Sequence, residues 1–587
     1  MTDNKNFLIG IFLLSIIWIF FNPFEIENAD KKETERTIQD QKIDDKHYSN
    51  LNINLVEKDS SLEETQEEKE FVLENNSIRV TFSNLNAQIK SVVLKDYYSY
   101  QEYNKSLGNE SYEKIPIEIF NSNESEISIH NSRNEKITNG YFDCEINEMA
   151  GQIILTRNIN KDKSIQYIYS LNNKDNNIIN LQIISNRISD PELSWSITVP
   201  NTEKSKTNQE QYTGFYFQED YSKDVDYIWD NKKFKNIDVS LKWIAFKQQF
   251  FSTILTAQTS FDRGSRFRVE VKENEEYIKK LTLKAPLSNG NNIYEIYCGP
   301  NSYNKLKTYN KSYEEIVPLG WGIFGWVNKY IVIPIFNFLT DTVNIKNFGI
   351  IILILTLIIK LALSPFTYKS YLGQAKMKVL KPEIDKINEK HKGKDPMKVQ
   401  QETMSLYRKA GVNPLGGCLP LLFQFPILIA MFRFFPASIE LRQKSFLWAD
   451  DLSSYDSIYN LGFHIPAYGD HISLFTLLMT ISTLIYTRMN SQMTSSQMPG
   501  MKMMMYMMPI MFLGFFNSYA SALSYYYFLA NVFTFSQMYL MRKFVDEKSI
   551  LAQIEKNKKI PRKKSKWQKK LEDIQKKQAE QMKKRRK

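Results

Sequence analysis

One lysine inside an otherwise apolar stretch is the first side chain of this 587-residue chain that could do chemistry. The stretch, residues 348–367, is about long enough to cross a bilayer as a helix. Lys360 lies roughly 18 Å along that helix, where a cation costs at least about 3 kcal/mol in hydrocarbon and usually faces a bundle interior or a wet cavity. Thr356, one helical turn earlier, falls on the same face. We therefore expect a polar cavity open to one side of a membrane; the alternative is a lysine that reaches the cytoplasmic headgroups.

The remaining reactive residue types are not spaced for catalysis or metal binding. Cys144, Cys298 and Cys418 show no CxxC spacing, and the five histidines form no His-x-x-x-His pair. The sequence also has no glycine-rich phosphate loop. We therefore expect no metal, no cofactor and no enzymatic activity, so that function must rest on binding. A disulfide between Cys144 and Cys298 remains open, since both fall in the region that we place outside the cytoplasm.

The elements that position Lys360 are predicted to be membrane spans, and the charge pattern orders them. Between Lys502 and Arg542 lie 39 residues without Asp, Glu, Lys or Arg, which suits two helices joined by a turn at Asn517-Ser518. Both ends of this hairpin are basic, which places them in the cytoplasm. Six spans with both termini cytoplasmic satisfy the pattern. The other four are an uncleaved anchor within residues 1–24 and spans at 348–367, 415–435 and 472–486.

Soluble segments separate these spans. Residues 25–70 are rich in Glu, Asp, Lys and Gln and are predicted to be a flexible tether. In residues 71–316, apolar and polar side chains alternate between Asn-rich turns, which predicts a large antiparallel β-sandwich outside the cytoplasm. We expect its link to the membrane core to be tether-like. The remaining predictions are an interfacial amphipathic helix at 317–344, a five-span core at 345–541 with a cytoplasmic helical hairpin at 369–411, and a basic tail at 542–587.

The net charge of +11 comes from this tail. Residues 541–587 hold 19 Lys or Arg against 6 Asp or Glu, so the rest of the chain is close to neutral. Clusters of Lys and Arg neutralise phosphate groups. Two partners are therefore possible for the tail: ribosomal RNA, which we favour, and anionic lipid. The tail residues concerned are Arg562, Lys563, Lys564, Lys583, Lys584, Arg585, Arg586 and Lys587.

A motif precedes the third predicted span. Residues 413–427 read Asn-Pro-Leu-Gly-Gly-Cys-Leu-Pro-Leu-Leu-Phe-Gln-Phe-Pro-Ile, with Lys-Met-Lys-Val-Leu-Lys-Pro-Glu at 376–383 and Glu-Leu-Arg at 440–442 on either side. With these strings, residues 321–541 resemble the YidC family of bacterial membrane protein insertases, related to the Oxa-type and Albino-type proteins. The order of anchor, β domain and five-span core is similar to the Gram-negative form. The motif residues are Asn413, Pro414, Gly416, Gly417, Cys418, Pro420 and Pro426.

The resemblance implies a fold and a function. The fold would be an α-helical membrane protein of six transmembrane helices with a periplasmic β-supersandwich. The function would be to insert and help fold integral proteins of the inner membrane, with or without the Sec translocon, through a groove open to the cytoplasm and lipid but closed outside. Expected partners are nascent membrane proteins, Sec translocon components, the ribosome and the lipid bilayer, with no small-molecule substrate.

The resemblance also assigns residues to the groove. Lys360 matches the family's single basic residue, where arginine is more usual, so the charge is kept but the bidentate fork is lost. Thr356, Gln424 and Tyr527 are assigned to the same groove. The chain departs from the family again at the turn before the sixth span, where Tyr-Ala-Ser-Ala at 519–522 replaces a more usual Phe-Pro-Ser-Gly.

Two other function classes compete with this interpretation. A secondary transporter is expected to show inverted repeats and broken helices in matching halves, and no such repeat is visible in the sequence. A membrane-anchored periplasmic enzyme that binds sugar would place its chemistry in residues 71–298, where no acid/base pair stands out.

Overall fold

The computed structural model describes residues 67–559 except 110, 148–150, 161, 172–176, 229–233, 273, 392–395, 413–418, 495–500 and 546. Four predictions therefore concern residues outside the described range: the anchor at 1–24, nearly all of the tether at 25–70, motif residues 413–418 and the basic clusters from Arg562 onward. The described residues begin with a β domain and continue into a set of helices.

The β domain runs from Glu70 to Pro300. In its described part we find two short helices, α1 (Tyr100–Leu107) and α2 (Lys206–Gln211), and eighteen strands. The strands are β1 Glu70–Glu74, β2 Ile78–Ser83, β3 Ile89–Tyr98, β4 Pro116–Asn121, β5 Glu126–His130, β6 Asp143–Asn147, β7 Gln152–Asn158, β8 Ser164–Leu171, β9 Ile178–Asn186, β10 Glu192–Pro200, β11 Gly214–Glu219, β12 Val225–Ile228, β13 Phe234–Ile237, β14 Leu241–Lys247, β15 Phe251–Phe261, β16 Ser265–Val271, β17 Tyr277–Pro286 and β18 Gly290–Pro300.

Three antiparallel sheets share one hydrophobic core. A nine-stranded sheet has the order β12-β11-β14-β15-β18-β9-β8-β7-β6, a five-stranded sheet β13-β16-β17-β10-β5, and a four-stranded sheet β1-β2-β3-β4. Alternation explains the burial: in β8, Ile165, Tyr167 and Tyr169 point into the core and their neighbours do not. The prediction of an antiparallel β-sandwich is thereby confirmed.

The link between the β domain and the helices is packed, so the prediction of a tether-like link is wrong. After β18, helix α3 (Tyr303–Thr308) leads into a 3₁₀ turn at Tyr313–Ile316. Tyr313 is fully buried, and its ring meets the Trp243 ring edge-on at 5.6 Å. The Trp243 indole N–H also donates to the Lys311 carbonyl at 2.9 Å. Aromatic packing of this kind, invisible in local composition, holds the link in place.

The helical part continues to Lys559. Its helices are α4 Gly322–Thr342, α5 Phe348–Val379, α6 Lys381–Lys390, α7 Pro396–Ala410, α8 Leu419–Ala437, α9 Leu474–Thr494, α10 Met501–Asn517, α11 Ser521–Phe544 and α12 Glu547–Lys559, with strands β19 (Tyr459–Ile465) and β20 (Gly469–Ile472) between α8 and α9. Helix α5 begins where the Asn347 side chain accepts from the Ile350 N–H at 3.1 Å.

Two of the described helices, α4 and α5, are long and apolar enough to cross a membrane, and shorter apolar stretches lie in α8, α9 and α10. Helices α5, α8, α9, α10 and α11 coincide with predicted spans, and the turn at 518–520 follows the predicted position. Whether six helices cross the membrane stays a prediction, as does the interfacial placement of 317–344, where α4 has the length and composition of a span.

The predicted helical hairpin within 369–411 is present as α6 and α7. The sequence did not indicate that the first residues of the tail form α12, which packs on the base of this hairpin. Ile550 and Ile554 of α12 join one buried cluster with Leu380, Ile384 and Tyr407. Helix α12 is therefore held against the hairpin by apolar contacts.

Candidate functional site

Three helices meet at Lys360. Its ammonium nitrogen donates to the Thr534 hydroxyl of α11 at 2.9 Å and to the Gln424 side-chain oxygen of α8 at 3.3 Å. The Gln537 side chain, also on α11, donates to the Lys360 carbonyl at 3.0 Å. The lysine is 6% exposed. The side chain predicted to matter most thus lies where α5, α8 and α11 converge.

The partners of this buried cation are neutral. Among the described residues no carboxylate lies within ion-pairing distance of Lys360, and Thr534 uses its own hydroxyl proton on the Ala530 carbonyl at 2.7 Å. Burying an ammonium is costly unless the charge is paired. Two neutral acceptors meet only part of that cost, so the site retains the capacity to bind an anion.

The ammonium is held inside the bundle and does not reach the charged end of the helices. Thr534 lies eight residues before Arg542, roughly 12 Å along α11. A snorkelling lysine would extend toward that end, whereas here the side chain stops at Thr534 and Gln424. This position is the one expected of a residue in a polar cavity, and the role of Lys360 stays a prediction.

The structure brings only one of the other predicted groove residues to Lys360. Gln424 contacts it directly, whereas the Thr356 hydroxyl is buried and donates to the Ile352 carbonyl of its own helix at 2.6 Å. Tyr527 is half-buried on α11 and makes no hydrogen bond to Lys360. Pro426 lies in α8 beside Gln424, and Pro420 near the start of that helix.

Thr534 and Gln537 were missed by the sequence reasoning. Counted from Tyr527, they are seven and ten residues further along the same helix, which places them on the same face. A search for polar residues at helical spacing from Tyr527 would have found both.

The opposite, outer end of the helices is closed by hydrogen bonds. Asp456 accepts from the Trp448 indole N–H at 2.9 Å, from the backbone N–H groups of Leu474 and Phe475 at 2.8 and 3.1 Å, and from the Ser473 hydroxyl. A carboxylate there satisfies the free N–H groups at the start of α9 and is favoured by the helix dipole.

Asn517, at the end of α10, ties the same region together. Its amide donates to the carbonyls of Tyr468 and His471 at 2.9 and 2.7 Å, and its oxygen accepts from the Ser473 N–H at 3.0 Å. Beyond the turn, Ser521 N–H donates to the Ser454 carbonyl at 2.7 Å. These contacts hold the loop before α9, the end of α10 and the start of α11 together.

The β domain is fixed to this outer end by a buried ion pair. Arg442, from the Glu-Leu-Arg string, donates to the Glu203 carboxylate at 2.9 Å and to the Tyr98 carbonyl at 2.7 Å. The Arg442 and Glu203 side chains are 3% and 7% exposed. The guanidinium also lies over the Phe251 ring, 5.1 Å from its centre. Nothing in the local sequence around either charged residue indicated this pair.

The cysteines do not form the disulfide that the sequence left open. Cys144 is half-buried and Cys298 is buried, and both are free thiols. Burial raises the pKa of the Cys298 thiol to about 12, which keeps it protonated and unreactive at neutral pH.

Two family descriptions match the chain. Residues 338–549 match the family described as "60Kd inner membrane protein", and residues 70–334 match the "YidC periplasmic domain". Among solved structures, the chain is similar to one titled "Active YidC insertase crystal structure with the first transmembrane domain resolved". That protein is 19% identical, with 80% of this chain and 92% of that chain covered and a TM-score of 0.32.

Full-length relatives match more strongly. The protein of Parabacteroides distasonis is 35% identical, with 99% of each chain covered, and that of Amoebophilus asiaticus is 36% identical, with 94% of this chain and 95% of the relative covered. Both are named "Membrane protein insertase YidC", and neither name indicates a transporter or a sugar-binding enzyme. On this identity and coverage, the chain belongs to the YidC family of membrane protein insertases.

Proposed function

We propose that this protein inserts client segments by drawing their acidic residues to Lys360, in a groove that opens to the cytoplasm and to lipid. The observation that supports this most directly is a buried ammonium whose partners, among the residues that the structure describes, are the neutral side chains of Thr534 and Gln424. An incoming carboxylate replaces these neutral partners with a full opposite charge, which adds a Coulomb attraction that a neutral acceptor does not supply.

The groove residues act by position and not by covalent chemistry. Gln424 and Thr534 keep the ammonium at mid-depth, while the contacts of Asp456 and Asn517 hold the outer end shut. A client tail held at Lys360 has less hydrocarbon left to cross. Partitioning of the client's apolar helix into lipid then drives the step, helped by the membrane potential at about 2.3 kcal/mol per charge per 100 mV. Thr356 and Tyr527 extend the groove along the same faces of α5 and α11.

The arrangement in the inner membrane is also part of the proposal. Six spans, cytoplasmic termini and a periplasmic β domain follow from the excess of Lys and Arg at 367–414 and after Arg542. The membrane and its nascent proteins are the partners that family membership supports. We further propose that the tail contacts the ribosome, and that the protein works with or without Sec translocon components.

Site-specific photo-crosslinking tests this function. A photoreactive residue at Tyr527 should capture a stalled nascent membrane protein with an acidic extracellular tail. The matched control is Leu361, which follows Lys360 directly but is 60% exposed on the outside of the bundle. Strong capture at Tyr527 and weak capture at Leu361 are expected. Equal capture at the two positions would contradict a groove centred on Lys360.

A further inference from the structure

A short hairpin at the outer end of the core exposes apolar side chains. Strands β19 and β20 are joined by a turn at 466–468 and lead into α9. Tyr459 and Phe463 are each 63% exposed, and Ile458 and Ile465 are exposed as well. Residues 457–469 contain no Asp, Glu, Lys or Arg. A two-stranded hairpin by itself is only marginally stable in water. Packing of this apolar surface against a partner would therefore stabilise it.

Contacts with α10 fix the position of the hairpin along the axis of that helix. The Asn517 amide donates to the carbonyls of Tyr468 and His471, which fastens β20 to the end of that helix. At Gly514, an added Cβ would lie 2.3 Å from the Ala467 carbonyl oxygen, so the turn rests directly on the helix there. Gly514 precedes Asn517 by three residues, which sets the turn about 4.5 Å inward from the end of α10.

The helix surface beside this turn is apolar and open. Ile510, Met511 and Phe515 of α10 are 58%, 45% and 42% exposed. In the proposed membrane arrangement, on which this step rests, they face lipid. Residues 458–468, which carry no charge, continue the same surface outward, to the depth where the hydrocarbon gives way to headgroups, and Asp470 of β20 is the first charged residue after them.

We infer that this hairpin, residues 458–468, lies in the headgroup region of the outer leaflet and anchors the outer end of α10 there. The partner is the phospholipid interface. Aromatic side chains are enriched at that depth because their rings are amphipathic, and the lack of charge avoids the cost of bringing ions into it. The anchor holds Asn517, and with it the closed outer end, at a constant depth.

Depth measurement by spin labelling tests the inference. The full chain, with Cys144, Cys298 and Cys418 changed to Ser, carries a single nitroxide at Phe463→Cys in phospholipid vesicles. Ile510→Cys supplies the lipid control, and Tyr221→Cys, 75% exposed in the β domain, supplies the water control. Collisions with oxygen should exceed those with a water-soluble nickel chelate at positions 463 and 510, with the reverse at 221.

Each other outcome overturns the inference in a recognisable way. Water-like values at 463 with lipid-like values at 510 would refute the anchor and leave the membrane arrangement intact. Water-like values at both would refute the arrangement itself, and the anchor with it. Low collision rates with both reagents at 463 would show a protein covering the hairpin in place of lipid. Unchanged circular dichroism and client insertion would verify that each labelled variant is folded.

Discussion

The outer end of the core and the region around Lys360 differ in the partners that they provide for buried charges. At the outer end, Arg442 faces Glu203, and Asp456 accepts hydrogen bonds from a helix start and an indole. Around Lys360 the only partners in the described structure are an amide and a hydroxyl. The first region is satisfied internally and is built to stay closed, whereas the second keeps electrostatic capacity for a ligand.

The largest effect is expected at the outer ion pair. Arg442→Ala leaves the Glu203 carboxylate buried without an opposite charge, with the Thr202 hydroxyl still donating to it, and breaking a buried pair typically costs about 3–5 kcal/mol. We expect a lower thermal midpoint and faster proteolytic release of the β domain from the detergent-purified chain. Arg79→Ala, which removes an exposed pair with Glu74, should change neither, because surface pairs contribute little.

A double substitution sharpens this test. Arg442→Met together with Glu203→Leu removes both charges, and apolar replacement of a buried pair is often neutral or stabilising. Stability should therefore recover toward that of the unaltered chain. A double variant as unstable as Arg442→Ala would indicate that packing of the guanidinium on Phe251, and not the unpaired charge, is what matters.

A smaller loss is expected at the cap of α9. Asp456→Ala removes the acceptor for Leu474 and Phe475, which costs about 0.5–2 kcal/mol for a helix cap, and it also strands the Trp448 indole N–H. Chemical unfolding of the purified chain measures this change. Asp450→Ala in the same loop is the control, with a smaller effect expected. An equal loss from the two variants would contradict the assigned role of Asp456.

A third region, the buried lysine pair of the β domain, should give a pH dependence. Burial, and then the charge of nearby Lys279, lower the pKa of Lys247 to about 7, from an ordinary 10.5. Between these values the unfolded chain binds a proton that the folded chain has lost, so the free energy of unfolding rises with pH. The thermal midpoint of the β-sheet signal should rise by a few degrees from pH 7 to pH 10.

Lys247→Met is the control for that measurement. It removes the group that titrates, so the rise with pH should become much smaller. A rise that persists unchanged in the variant would assign the pH dependence to other groups.

The smallest effect on the folded core is expected from the tail. Truncation after Lys559 keeps α12 on the hairpin and removes 13 Lys or Arg, including the basic clusters. Binding to translating ribosomes should therefore weaken while the core stays intact.

Co-sedimentation with ribosomes at several salt concentrations measures this binding. The full chain should bind more tightly at low salt, and the difference between the two chains should shrink steeply with added salt, because salt reduces the entropy gained when binding releases counterions from the RNA. Unchanged co-sedimentation at low salt would assign the tail to anionic lipid.

The sequence predicts those parts of the fold that depend on local periodicity. Alternation along β8 indicated a strand, and the 39 uncharged residues after Lys502 indicated the α10–α11 hairpin with its turn. It did not predict pairs that join distant segments. Arg442 and Glu203 are 239 residues apart, and Lys360 and Thr534 are 174 apart. Such contacts depend on how the helices and sheets pack, which no local pattern encodes.

The candidate site likewise contains one residue that the sequence predicts and partners that it does not. Lys360 stands out because its charge conflicts with its apolar surroundings, a local signal. Its partners Thr534 and Gln537 lie in a part of α11 with no distinctive sequence pattern. Their contact with Lys360 is apparent only once α11 lies beside α5. The docking of α12 on the α6–α7 hairpin is similarly non-local, since Ile550 and Ile554 look like ordinary residues of a basic tail.

The most direct test of the account is insertion of one client, with and without its acidic tail residues, by Lys360→Arg, Lys360→Ala and Lys360→Glu variants. Lys360→Arg should retain insertion because the charge is kept. Lys360→Ala should impair the acidic client, and Lys360→Glu should impair it most because it repels the tail, with smaller effects on the neutralised client. Equal insertion of the acidic client by the Ala and Glu variants would contradict electrostatic capture at Lys360.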